Sequence, residues 1–117
     1  MTTQEVANRF YELAQHGQFE QILTELFSQD ARSVEPEGGP FQNVQGLDAI
    51  IEKGKKFNEM VEEMHGGFTN EPIVAGNFFA CTMGMDVTMK GQPRMNMDEI
   101  AVYEVKDGKI ILEQFFF

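Results

Sequence analysis

The stretch from Gly76 to Phe117 constrains this chain most, because its turns dictate which side chains share a face. Asp107-Gly108 separates Tyr103-Glu104-Val105-Lys106 from Lys109-Ile110-Ile111-Leu112. An Asp-Gly pair supplies the positive-φ residues that a two-residue type I′ hairpin turn requires. That turn sets Val105 opposite Ile110, Tyr103 opposite Leu112, Ala101 opposite Gln114 and Glu99 opposite Phe116. Upstream, a three-residue loop Lys90-Gly91-Gln92 sets Val87 opposite Met95, Met85 opposite Met97 and Met83 opposite Glu99. This loop length gathers Met83, Met85, Val87, Met89, Met95 and Met97 on one face and leaves Asp86, Thr88, Asn96 and Asp98 on the other. A slip of one residue would turn every side chain over.

The inner face so defined carries Phe79, Cys81, the methionines, Ala101, Tyr103, Leu112 and Phe116, with Glu99 and Gln114 as its strongly polar members. Methionine is flexible and polarizable, which suits a surface that adapts to a ligand as well as it suits a loose core. Glu99 favours the ligand reading, since an unpaired buried carboxylate is costly. The expected lining is Met83, Met85, Met95, Met97, Ala101, Tyr103, Gln114 and Phe116. Cys81, without a basic neighbour in sequence, reads as a small buried hydrophobe.

Ahead of these strands the apolar period is helical. Thr2 and Glu5 have capping-box spacing, Val6, Phe10, Leu13 and Ala14 follow at helical intervals, and Gly17 ends the helix. Phe19, Ile22, Leu23, Leu26 and Phe27 form the stripe of a second helix. A turn at Asp30-Ala31 then leads into a short strand, Arg32 to Glu35, and Pro36 to Pro40 make a loop. A third helix follows Gly46, with Leu47, Ile50, Ile51, Phe57 and Val61 apolar and Lys53, Lys55, Lys56, Glu59 and Glu62 read as solvated. From Met64 the period moves toward two, giving a strand through His65 and Phe68 to Val74 with a turn at Gly76-Asn77. Helices first and strands last predict an α+β fold, a curved, mixed or antiparallel sheet wrapped around three N-terminal helices.

The 117 residues suffice for one domain, 1–117, with a single core. A formal net charge of -10 argues against nucleic acid or an anionic membrane as partner. With no apolar run of spanning length, no secretory pattern and a single cysteine, a cytoplasmic location is expected. His16 and His65 lie far apart and no paired-ligand spacing occurs, so neither a metal nor another cofactor is expected. On the far side of the last strands, Ile100, Val102, Ile111, Phe115 and Phe117 predict an apolar outer face covered by a second subunit.

Three runs carry a family likeness: Phe27-Ser28-Gln29-Asp30-Ala31-Arg32-Ser33-Val34-Glu35-Pro36, Val44-Gln45-Gly46-Leu47-Asp48-Ala49-Ile50, and Tyr103-Glu104-Val105-Lys106-Asp107-Gly108-Lys109-Ile110. In order and spacing the chain resembles the SnoaL-like branch of the nuclear transport factor 2-like superfamily. The resemblance implies a cystatin-like cone enclosing a pocket, usually dimeric, in a family that includes polyketide cyclases, ketosteroid isomerase, limonene-epoxide hydrolase and dehydratases. It places Glu35, before Pro36, where the isomerase has its general base. The isomerase tyrosine would fall at Phe10 and the cyclase acid at Ala101, and both departures weigh against those reactions as known. Glu99 lies two positions from Ala101 on the same face.

Three functions remain open from the sequence. One is binding of a small, mostly apolar ligand. Another is a cofactor-independent isomerase, cyclase, lyase or hydrolase with Glu35 and Glu99 as acid and base and His65 as a further candidate base. The last is a dimeric scaffold whose pocket is vestigial.

Overall fold

The computed structural model describes residues 1–117. Helix α1 (Thr3–Gln15) opens on the expected capping box: the Glu5 amide donates to Thr2 Oγ1 at 3.1 Å and the Thr2 amide to Glu5 Oε1 at 2.8 Å. Gly17 follows it with φ 68°, a left-handed conformation that costs glycine little. Helix α2 (Phe19–Leu26) buries Ile22 and Leu26. Strand β1 (Phe27–Val34) begins at Phe27, expected as the last apolar residue of the second helix, rather than at Arg32, and Asp30-Ala31 lies inside it rather than in a turn. Its register against the neighbouring strand shifts between Phe27 and Arg32, and the Ala31 carbonyl accepts from the Gly46 amide at 2.7 Å. The short β2 (Val44–Gln45) pairs back on β1, and α3 (Leu47–Met60) follows.

The remaining strands are β3 (Val61–Thr69), β4 (Ile73–Ala75), β5 (Phe78–Met89), β6 (Arg94–Lys106) and β7 (Lys109–Phe116). Val61, expected in the third helix, is the first residue of β3. One seven-stranded sheet has the order β2-β1-β7-β6-β5-β3, with β4 also on β5. All pairings are antiparallel except β1 with β7, so the sheet is mixed. Its concave face packs Phe79, Cys81, Ala101, Tyr103, Val105 and Ile110 against Val6 and Phe10 of α1, Ile22 and Leu26 of α2 and Leu47 and Ile50 of α3. Phe79 stacks on Tyr103 with ring centroids 4.8 Å apart. The architecture is an α+β cone. No helix is long and apolar enough to cross a membrane.

The β5–β6 register is the one expected: Val87 faces Met95, Met85 faces Met97 and Met83 faces Glu99. The β6–β7 hairpin departs from expectation after its first rungs. Val105 pairs with Ile110, but Glu104 pairs with Leu112, leaving Ile111 as an extra residue. Beyond this bulge Tyr103 faces Glu113, Val102 faces Gln114, Ala101 faces Phe115 and Ile100 faces Phe116. Glu113 and Phe115 therefore join the concave face, while Leu112, Gln114 and Phe116 turn outward, the reverse of the sequence-based assignment. The physical reason is that Ile110-Ile111-Leu112 is apolar throughout, so alternation specifies no register there. The observed one gives Glu113 a hydrogen bond from Ser33 and packs Phe115 against the core.

Candidate functional site

Four elements converge on a group of carboxylates. Ser33, near the end of β1, lies beside Glu113 of β7. Glu35 follows two residues on, where its amide donates to Asn43 Oδ1 at 2.7 Å and ties down the Pro36–Pro40 loop region. From α3 comes Lys53, whose Nζ donates to Ser33 Oγ at 2.6 Å and stands 3.7 Å from Glu35 Oε2. Ser33 Oγ in turn donates to Glu113 Oε1 at 2.7 Å. Ser33 and Glu113 are buried, and the side chains of Lys53 and Glu35 are only 16% and 8% exposed. Glu35 Oε2 is buried without a hydrogen-bond partner. Glu99 of β6 stands close enough to feel the charges of Glu35, Glu113 and Lys53.

Withdrawal from water sets the protonation of this group. Burial pushes Glu113 up to about 7, against the opposing hydrogen bond from Ser33 and charge of Lys53. Burial also pushes Glu99 up to about 7, reinforced by the charges of Glu35 and Glu113. Glu35 is raised by burial, with Lys53 opposing. The Tyr103 hydroxyl is driven well above its ordinary value by burial and then by Glu113. Burial, with Glu99 adding, holds the Cys81 thiol at about 11, so Cys81 is no thiolate nucleophile near neutrality. Near pH 7 Glu99 and Glu113 therefore hold a proton part of the time, and in that form a carboxyl group can donate as well as accept a hydrogen bond.

Of the residues singled out from the sequence, Glu35 and Glu99 do come together. Met83, Met85, Met95 and Met97 lie half-buried on the concave face of the same strands, next to the buried Ala101 and Tyr103. His65 does not join them. Its Nε2 lies 2.8 Å from Thr88 Oγ1 and its Nδ1 2.9 Å from Glu63 Oε2, and Thr88 belongs to the outward-facing row of β5. Gln114 and Phe116 point outward as well, a consequence of the bulge at Ile111. Two surface depressions open along the outer rows: one takes in Phe68, Gly84, Asp86 and Asp98 with Met85, the other Phe68, Thr82, Ile100 and Phe116 with Met83 and Glu99.

Ser33, Lys53 and Glu113 are functional candidates that sequence reasoning missed. Lys53 had a signal, for it falls three residues after Ile50 and four before Phe57, on the apolar stripe of its helix. Ser33 alternates with Ala31 and Glu35. Glu113 had none, because its inward direction depends on the bulge.

With this geometry in hand, comparison decides the family: the SnoaL-like domain matches residues 1–117. The chain belongs to the SnoaL-like family. No curated protein matches it. A Mesorhizobium loti protein classed as a SnoaL-like polyketide cyclase and carbohydrate phosphatase is 36% identical to this SnoaL-like chain, over 100% of both, with a TM-score of 0.94. A Xanthomonas campestris protein of unknown function with a cystatin-like fold is 19% identical over 99% of this chain and 90% of its own, TM-score 0.81. A hypothetical protein from Catenulispora acidiphila with a ketosteroid isomerase-like fold, in complex with trimethylamine, is 18% identical over 82% and 72%, TM-score 0.69. The last two likenesses establish the cone fold of this SnoaL-like domain and nothing further.

Proposed function

We propose that this SnoaL-like domain holds a small, mostly apolar molecule against the methionine row inside the cone, with Glu35 and Glu99 as its polar contacts. One observation carries the reading: Glu99 shares the concave face with Met83, Met85, Met95 and Met97, within electrostatic reach of Glu35. Adaptable thioethers around a few convergent polar groups are the ordinary makeup of a ligand site. The test is to label the methionine methyl groups and titrate with small carbonyl compounds, epoxides and steroid-like or polyketide-like rings. A ligand of the interior shifts Met83, Met85, Met95 and Met97 and raises the melting temperature. Shifts confined to the exposed Met64 and to outer-face residues would sink the reading.

A second reading has its own support in the raised carboxylates. Glu35 would remove a proton alpha to a carbonyl, and Glu99, protonated, would donate to the oxygen on which negative charge develops. The M. loti relative's cyclase class is compatible with such chemistry. Glu35→Gln and Glu99→Gln variants that still bind but no longer turn over a ligand identified in the titration support catalysis; turnover that survives both excludes it.

We also propose that a second copy of the chain covers the outer face. Phe68, Ile73, Phe78, Ile100, Phe116 and Phe117 are all exposed large hydrophobics, and all but Phe117 lie on the sheet's strands.

A further inference from the structure

We infer that the molecule held in the cone carries a positively charged nitrogen with apolar substituents, a substituted ammonium rather than a neutral carbonyl compound. This rests on the interior being the binding site. It follows from a count of charges and donors. Three carboxylates, Glu35, Glu99 and Glu113, face one cation, Lys53, and Lys53 spends its shortest hydrogen bond on Ser33. Glu35 is left with a buried Oε2 that receives no hydrogen bond, its side chain 8% exposed and Lys53 Nζ at 3.7 Å. A buried acceptor without a donor costs about 1–3 kcal/mol. With the carboxylates ionised, what the site lacks is thus one donor and at least one positive charge, which protons on Glu99 and Glu113 supply when no ligand does. An ammonium ligand supplies both, whereas a ketone or epoxide adds another acceptor to a site already rich in them.

A metal ion is the other way to supply charge, but no three acidic, histidine or cysteine side chains are placed to hold one. Methionine sulfurs and methyls suit the alkyl groups of an organic cation, and the net charge of -10 draws cations toward the chain.

Binding of a cation is coupled to protons here. The groups facing the carboxylates are Lys53 from α3, Ser33 and Glu35 from β1 and its end, Cys81 from β5, Glu99 and Tyr103 from β6 and Glu113 from β7. The buried residues of α1 and α2 are apolar. Glu99 and Glu113 sit at about 7 because of burial, with carboxylate repulsion adding. An arriving cation favours their ionised forms, so protons leave and affinity grows as pH rises through that range.

The probes are choline, whose charge does not change with pH, and its neutral isostere 3,3-dimethylbutan-1-ol, followed by the methyl shifts of Met83, Met85, Met95 and Met97 at pH 6 and pH 8. Choline is expected to bind about tenfold more tightly than the isostere at pH 8, a difference of about 1.4 kcal/mol. It is also expected to bind several-fold more tightly at pH 8 than at pH 6, and to lose this advantage in Glu35→Gln and in Glu99→Gln. The wild-type pH dependence stands on its own should either variant fail to fold. Equal affinity for the two probes, or choline binding that ignores pH, overturns the inference. If neutral ring ketones move the methionine methyls and choline does not, the cation falls and the binding site stands; if neither class moves them, both fall.

Discussion

Lys53 is the cation of the buried group, and its removal measures what it neutralises. Replacement by methionine keeps the length and apolar stem but leaves Glu35, Glu99 and Glu113 with no positive neighbour in the group. Breaking a buried ion pair from one side costs about 3–5 kcal/mol. Lys53→Met is therefore expected to lose stability of about that size at pH 8 and distinctly less at pH 5.5, where the carboxylates take up protons instead. Denaturant melts at the two pH values check it, and an equal loss at both would mean that Lys53 matters only for packing. Glu113 gives a second pH signature. Its folded-state value of about 7 exceeds the ordinary 4.5, so between them the folded state binds more protons than the unfolded. Its contribution is full below the ordinary value and falls as pH rises through about 7, by an amount on the order of 3 kcal/mol. Glu99 acts in the same direction. Glu25, lowered to about 2 by Arg9, acts oppositely and loses its contribution as pH falls through the acid range. The melting temperature should peak near pH 5 and decline toward pH 8, and Glu113→Gln should flatten the decline. At this scale Glu99 was legible because strand alternation placed it, and Glu35 because the family resemblance put a carboxylate just before Pro36. Lys53 was legible in principle, but a lysine beside Lys55 and Lys56 reads as part of a solvated face.

Strands β5 to β7 show where turn chemistry controls register and where it stops. The Lys90-Gly91-Gln92 loop carried the β5–β6 register to its end, because methionines alternate with polar residues along both strands and any slip would bury Asp86 and Asp98. The Asp107-Gly108 turn held for the first rungs of β7 only. A bulge at Ile111 exchanges one apolar residue for another on the outer face, Leu112 for Ile111 and Phe116 for Phe115, and what favours it is the hydrogen bond from Ser33, 80 residues away in sequence from Glu113. Parallel pairing of β1 with β7 was illegible for the same reason. Gly84 marks another long-range constraint, on the outer face. A Cβ there would collide with Asp98 Oδ1 and come within 2.5 and 2.9 Å of Phe68 ring atoms, since the ring lies over the glycine from the adjacent strand. Gly84→Ala should destabilise by about 1–3 kcal/mol as an overpacked site does. Combining it with Phe68→Ala should recover part of that loss. A thermal-melt double-mutant cycle decides, and strict additivity would mean that the ring moves aside freely.

For the whole molecule, the order of helices before strands was enough to foresee an α+β fold with a curved sheet around the helices, and the family resemblance supplied the cone, while the composition of its outer surface depended on the bulge that sequence could not supply. Phe115, expected outside, is inside beneath Lys53, whose Nζ lies 5.9 Å from the ring centroid. Phe116 takes its place beside Ile100, near Phe68. The proposed dimer therefore rests on Phe68, Ile100 and Phe116 rather than on Phe115. Two opposing terms govern it. Burying these side chains drives association at about 25 cal/mol per Å² of apolar area, whereas two chains of net charge -10 repel each other. Added salt screens the second and leaves the first, the Debye length shrinking from about 30 Å at 0.01 M to about 8 Å at 0.15 M. Dimerisation should therefore tighten as salt rises over that range, opposite to an interface held by ion pairs. Ile100→Lys or Phe116→Lys should yield monomers whose helix content is unchanged. Light scattering coupled to gel filtration at the two salt concentrations reads both effects. A wild-type chain that stays monomeric up to high concentration in 0.15 M salt would rule out pairing through this face, and a dimer that survives both substitutions would place its interface elsewhere.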